Sequence, residues 1–243
     1  MSCILDDYKT GGCATCAKHC GANIAIKARQ DFSNIPLDYT DKTLKTAKVR
    51  EKQSFVFRHM DAYVTTFERM FEDDASRIKS LYFYSESPGT GKTTTAAVAL
   101  NEWIMRSYIG ALKRGQTPEK RPAYFLDVNE WQSLYNKFNR PAVPEDVAAE
   151  ASAEYYKRLD RAKKSPFAVL DDIGLRSASE AFRGDLHEII NHRTVNKMPT
   201  IYTSNIALKD LAGVFDKRLA DRVGDMCLEY IFEGSSNRGK RAE

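Results

Sequence analysis

Residues 79–93, Lys-Ser-Leu-Tyr-Phe-Tyr-Ser-Glu-Ser-Pro-Gly-Thr-Gly-Lys-Thr, constrain this chain more than any other stretch, because a buried-type strand runs straight into a phosphate-binding loop. Leu81, Tyr82, Phe83 and Tyr84 are apolar and aromatic without strict alternation, the pattern of a strand covered on both faces of a parallel sheet. The cradle then reads Ser87, Pro88, Gly89, Thr90, Gly91, Lys92, Thr93, Thr94. Its glycines let the backbone curl so that successive N–H groups point inward at an anion. Lys92 is placed for the β- and γ-phosphates of a nucleotide and Thr93 for Mg²⁺, and the helix that follows offers its positive end. One position departs from the G-x-x-x-x-G-K-[ST] pattern: Glu86 stands where the first glycine is usual.

Two further strands end in polar residues. Residues 166–174, Pro-Phe-Ala-Val-Leu-Asp-Asp-Ile-Gly, form an apolar run closed by Asp171 and Asp172. In a parallel sheet such strand ends open onto the crevice where the ligand sits. Asp171 is the candidate for the Mg²⁺ shell and Asp172 for orienting or deprotonating an attacking water; a glutamate, longer by one methylene, is more usual at the second position. Residues 199–205, Pro-Thr-Ile-Tyr-Thr-Ser-Asn, bring Asn205 to the same edge. Asn205 touches either the γ-phosphate or the water, or else caps a helix starting near Leu208.

Between these runs the spacing predicts helices. Residues 48–73 carry Val49, Phe55, Val56, Met60, Tyr63, Phe67, Met70 and Phe71 near helical intervals. Helices are also expected over 94–109, from about 129 to 138, and over 147–164, 178–196 and 214–223; strands are expected at 123–128 and 226–232. Phe182, Leu186, Ile189 and Ile190 form the buried stripe of the fifth helix. At the end of the fourth, Tyr155, Tyr156, Lys157, Arg158, Arg161, Lys163 and Lys164 mix rings with positive charge. That mixture suits single-stranded nucleic acid, and equally an ordinary solvated helix face.

The first 48 residues read as a separate cysteine-rich segment. Cys13, Cys16 and Cys20 lie within eight residues of one another, a spacing that suits tetrahedral Zn²⁺ with Cys3 as the candidate fourth ligand. His19 is harder to aim at the same ion, and an iron–sulfur cluster or unligated thiols stay open. The domain organisation expected is therefore a zinc-binding segment at 1–48, an ATPase domain at 49–233 and a basic tail at 234–243 with Arg238, Lys240 and Arg241. A chain of 243 residues accommodates one large α/β domain with a small appendage. With no apolar run of about eighteen residues and no signal-peptide pattern, the expected location is the cytoplasm. The formal net charge of +4 argues only weakly for nucleic acid.

A phosphate-loop strand, a strand ending in Asp-Asp and a strand ending in Thr-Ser-Asn, with helices between them, resemble the AAA+ ATPases. Asp171-Asp172-Ile173-Gly174, Thr203-Ser204-Asn205 and the run from Arg218 to Arg222 are similar to the bacterial and phage helicase-loader group of DnaC, DnaI and the transposition helper IstB. The resemblance covers about residues 48–232. It implies a five-stranded parallel sheet with the Thr-Ser-Asn strand between the phosphate-loop and Asp-Asp strands, and a core without the C-terminal helical lid. It also implies ATP-dependent homo-oligomers that hydrolyse ATP to ADP, slowly as monomers, and deliver single-stranded DNA to a hexameric, DnaB-type replicative helicase. Arg222 would then be the arginine finger placed in a neighbour's site, with Arg218 close to the nucleotide. Alternatives are a transposition helper acting on duplex DNA, an adaptor switched by ATP without hydrolysis, and a small-molecule kinase.

Overall fold

The computed structural model describes residues 20–72, 78–174 and 178–234. Cys3, Cys13 and Cys16, and the tail arginines and lysine, lie outside the described residues. Cys20 is half-buried just ahead of the first helix, and among the described residues no cluster of His, Cys, Asp and Glu is arranged to hold a metal ion. No helix among them is long and apolar enough to cross a membrane.

Five strands, β1 (Ser80–Tyr84), β2 (Ala123–Asp127), β3 (Phe167–Asp171), β4 (Thr200–Ser204) and β5 (Cys227–Ile231), form one sheet in the order β2-β3-β4-β1-β5. Every pairing is parallel, so all five C-terminal ends share one edge. The strand ending in Thr-Ser-Asn does lie between the other two motif-bearing strands, as the resemblance implies. Successive strand residues feed two cores. Leu81, Phe83, Phe125, Phe167, Val169 and Ile201 pack beneath α1 (Gly21–Phe32), α2 (Ser54–Thr65) and α3 (Lys92–Lys113). Tyr82, Tyr124, Leu126, Leu170 and Tyr202 pack beneath α4 (Val128–Phe138), α5 (Glu145–Lys164), α6 (Glu180–Val195) and α7 (Lys217–Met226). Burial of both faces explains why these strands read as near-continuous apolar runs. The α6 stripe of Phe182, Leu186, Ile189 and Ile190 is buried as its spacing predicts.

Three local expectations are corrected. The helix over 48–73 is broken: a 3-10 turn at Lys48–Arg50 precedes α2, and a second 3-10 helix, Thr66–Phe71, follows it. The break falls at Gln53 (φ −114°, ψ 42°), whose side chain is committed to the phosphate loop instead of the helix. The boundary at 48 falls inside the packed core. α1 and the chain behind it bury Ile26, Ile35, Leu44 and Ala47 against α3, and Gln30 Nε2 donates to Asn101 Oδ1 in a buried side-chain hydrogen bond of 2.9 Å. Ser33 O accepts from Phe125 N and Asn34 Nδ2 donates to Phe125 O, so this segment covers the outer edge of β2. Last, the helix expected over 214–223 begins later. A 3-10 helix, Leu208–Gly213, comes first, and α7 starts after Asp216, whose carboxylate accepts from Leu219 N as its N-cap.

Candidate nucleotide site at the C-terminal edge of the sheet

The loop after β1 is built by two glycines in the left-handed region, Gly89 (φ 74°) and Gly91 (φ 109°). A β-carbon on Gly91 would overlap Val49, because residues 47–53 lie directly on the loop. Gln53 Nε2 braces it from below, donating to Thr90 O (3.3 Å) and to Glu233 O at the end of β5 (2.7 Å). Thr90 Oγ1 is buried with no hydrogen-bond partner among the described residues. An orphaned buried hydroxyl inside a glycine-built cradle is what a loop shaped around an absent anion leaves behind.

Lys92 opens α3 and is 6% exposed, yet its ammonium faces the crevice. Nζ donates to Asn205 Oδ1 (2.8 Å) and more distantly to the carbonyls of Ser85 and Ser87. The Thr-Ser-Asn strand therefore delivers Asn205 to the phosphate-loop lysine. Asn205 does not cap the 3-10 helix at Leu208, where Leu208 N donates instead to Glu229 Oε1 (3.0 Å).

Asp171 lies at the centre. Thr93 donates to its Oδ2 (3.1 Å) and Thr203 to its Oδ1 (2.7 Å). Burial pushes its carboxyl up to about 7, the neighbouring Asp172 adds to the rise, and the two threonine hydroxyls oppose it. A hydroxyl and a buried carboxylate turned toward one another suit a hard divalent cation that takes few protein ligands and keeps phosphate and water oxygens. Thr93 and Asp171 therefore fit Mg²⁺.

Asp172 has φ 64°, a left-handed conformation that a non-glycine residue adopts at an energetic cost. Its N–H donates to Thr203 Oγ1 (2.9 Å), and Ile173 N donates to Thr203 O (3.0 Å), so β4 holds the turn from below. Gly174 is required where it stands: a β-carbon there would come within 2.7 Å of Ser204 Oγ. Asn129, in the first turn of α4, donates to Asp172 Oδ2 (3.1 Å) and fixes the carboxylate's direction. Ser87, Pro88 and Thr94 stand on the loop and the first turn of α3, flanking the residues above.

Arg218 and Arg222 are not part of this constellation. Both lie on α7, where Arg222 is half-buried and bonds Asn191 while Arg218 is exposed. Tyr155 is also elsewhere than the aromatic–basic reading requires. It is fully buried, stacked on Trp131 at 4.6 Å, with its hydroxyl donating to Asp185 (2.6 Å). Arg158 is held by Glu154 and Glu130. Only Tyr156, 57% exposed, keeps a ring available on that helix.

Gln53 and Asn129 escaped the sequence reading, and Thr203 entered it only as part of the Thr-Ser-Asn motif, without a role of its own. Thr203 carried a signal, being a polar residue at the end of a strand already assigned to that edge.

Fold and site together define an α/β protein with a five-stranded parallel sheet and a phosphate-type loop at the C-terminal edge of that sheet. No protein-family model matches the chain, and no characterised protein matches it by sequence. Among solved structures it is similar to DnaI, with a TM-score of 0.56 at 21% identity over 84% of this chain and 95% of the other. The DnaC helicase loader gives 0.54 at 22% identity over 82% and 100%. A DnaA replication initiator bound to AMPPCP and single-stranded DNA gives 0.51 at 19% identity over 81% of this chain and 50% of that one.

Proposed function

We propose that this protein is an ATP-hydrolysing loader that places a hexameric, DnaB-type replicative helicase on single-stranded DNA, working as a homo-oligomer. The observation that supports it most is the meeting of three strand ends in one hydrogen-bonded unit: Lys92 on Asn205, and Thr93 and Thr203 on Asp171. Lys92 and the loop N–H groups bind the phosphates; Lys92 leaves or shares Asn205 in doing so. Thr93 and Asp171 would hold Mg²⁺, which when bound would supply positive charge against the phosphates. Asp172, aimed by Asn129, orients the water and takes its proton as water oxygen bonds phosphorus and the bond to ADP breaks. Asn205 sits where it reports whether the γ-phosphate is present.

Arg222 serves the site of an adjacent copy, with Arg218 beside it. A cation supplied in trans stabilises charge in the transition state and ties hydrolysis to assembly. Likeness to the DnaC helicase loader, and to DnaA solved with single-stranded DNA, favours this reading over a kinase. Cys3, Cys13, Cys16 and Cys20 are proposed to hold Zn²⁺.

The test is co-purification of the full chain with its host's replicative helicase, with and without ATP, followed by mass measurement of the complex. The expected result is a complex that depends on ATP, with turnover raised by single-stranded DNA and abolished in Asp172→Asn. A chain that ignores the helicase in both conditions, or an Asp172→Asn variant as fast as the parent, contradicts the proposal.

A further inference from the structure

Resting on the trans reading of Arg222, we propose that Asn191 is the positioning residue that aims this guanidinium at the phosphates of the neighbouring copy. Arg218 and Arg222 are one turn apart on α7 and line the same open cavity of about 560 Å³, together with His187, Asn191 and Asp216. Two rungs tie α7 to α6 across this cavity. In the first, Asp216 caps α7 through Oδ1 on Leu219 N (2.9 Å) while its Oδ2 lies 2.7 Å from His187 Nε2. In the second, Arg222 Nη1 donates to Asn191 Oδ1. His187 and Asn191 are themselves one turn apart on α6, so one helix face supplies both rungs.

The rungs differ in chemistry. The first fixes where α7 begins. The second uses a neutral amide, which takes one of the five N–H donors of the guanidinium without bringing a negative charge against it. A carboxylate at 191 would hold the arginine as firmly but would form an ion pair that an incoming phosphoryl group must break. An unheld arginine loses rotamer freedom when it is ordered, and Asn191 removes part of that loss before the copies meet.

The experiment is steady-state ATP turnover by the full chain with single-stranded DNA, over a range of protein concentrations. Arg222→Ala is measured first; a wild-type rate removes the finger reading and this inference with it. Given a strong Arg222→Ala defect, Asn191→Ala is expected to lower kcat about three- to tenfold, the value of one oriented hydrogen bond, with KM for ATP unchanged. Asn191→Asp is expected to fall at least as far, and its loss to shrink as salt is added. A merely structural role would lower the melting temperature and leave kcat per folded molecule intact. Asn191→Ala at the parental kcat beside a crippled Arg222→Ala overturns the positioning role and leaves the finger standing. Asn191→Asp at the parental kcat overturns the argument for a neutral acceptor.

Discussion

At the N-terminal edge of the sheet, the fully buried guanidinium of Arg193 donates to Thr200 Oγ1 and to the carbonyls of Ala162, Lys163, Ser165 and Pro199. It closes the C-terminal end of α5 and the starts of β3 and β4 with one planar group, and burial moves its own equilibrium down to about 10, so it stays charged at neutral pH. At the opposite edge, the charges are left in tension. Asp171 is buried with two hydroxyls for company and is pushed toward protonation, Asp172 holds a left-handed backbone, and Thr90 Oγ1 has no partner among the described residues. The same sheet thus has one end whose polar groups are saturated and one end whose polar groups await something. Saturation marks the end that keeps the fold; tension marks the end proposed to take the nucleotide.

Substitutions should separate the two ends. Arg193→Met strands several helix-end and strand-start carbonyls, and is expected to lower stability by about 3–5 kcal/mol. Chemical denaturation measures the loss, and ATP affinity per folded molecule should not change. Lys92→Ala is the mirror case. Removal of two charge-assisted contacts to phosphate is expected to cost about 3 kcal/mol of ATP binding, roughly a hundredfold by calorimetry, with the melting temperature nearly unmoved. Comparable stability losses in the two variants would break the contrast.

Asp171 sharpens it further. Its folded carboxyl keeps a proton up to about pH 7, whereas in the unfolded chain it ionises near the ordinary 3.8. The stability it contributes is therefore complete below about pH 4 and is lost as pH rises through about 7. Without Mg²⁺ or nucleotide, Asp171→Asn should be more stable than the parent by roughly 2 kcal/mol at pH 8, and the advantage should close toward pH 4. A parent whose stability is flat across that window would show that the carboxylate is not in tension. The smallest effect is at Asn129→Ala, expected to lower kcat about fivefold by releasing Asp172 while ATP affinity holds, as single-turnover rates would report.

The saturated and the tense end were legible to different degrees in the sequence. Strands that end in the glycine-built phosphate loop, Asp-Asp and Thr-Ser-Asn announce themselves because buried parallel strands are apolar runs and their polar ends can face only one edge. Gln53 and Asn129 were not legible, since each acts across the fold: Gln53 on Thr90 and Glu233, Asn129 on Asp172. α1 was hidden because it buries only Ile26 and Gln30 along its length, so no apolar stripe marks it, and it is held by contacts with α3 and the β2 edge. Tyr155 misled for the same reason: its neighbours in sequence are basic, and its neighbours in space are Trp131, Phe182 and Asp185.

The most direct test is a crystal structure of the full chain with Mg²⁺ and a non-hydrolysable ATP analogue. The account predicts the triphosphate on the loop between Gly89 and Thr93, with Lys92 on its β- and γ-phosphates and Mg²⁺ between Thr93 and Asp171. A nucleotide bound elsewhere, or a loop left vacant with Lys92 still on Asn205, would contradict it.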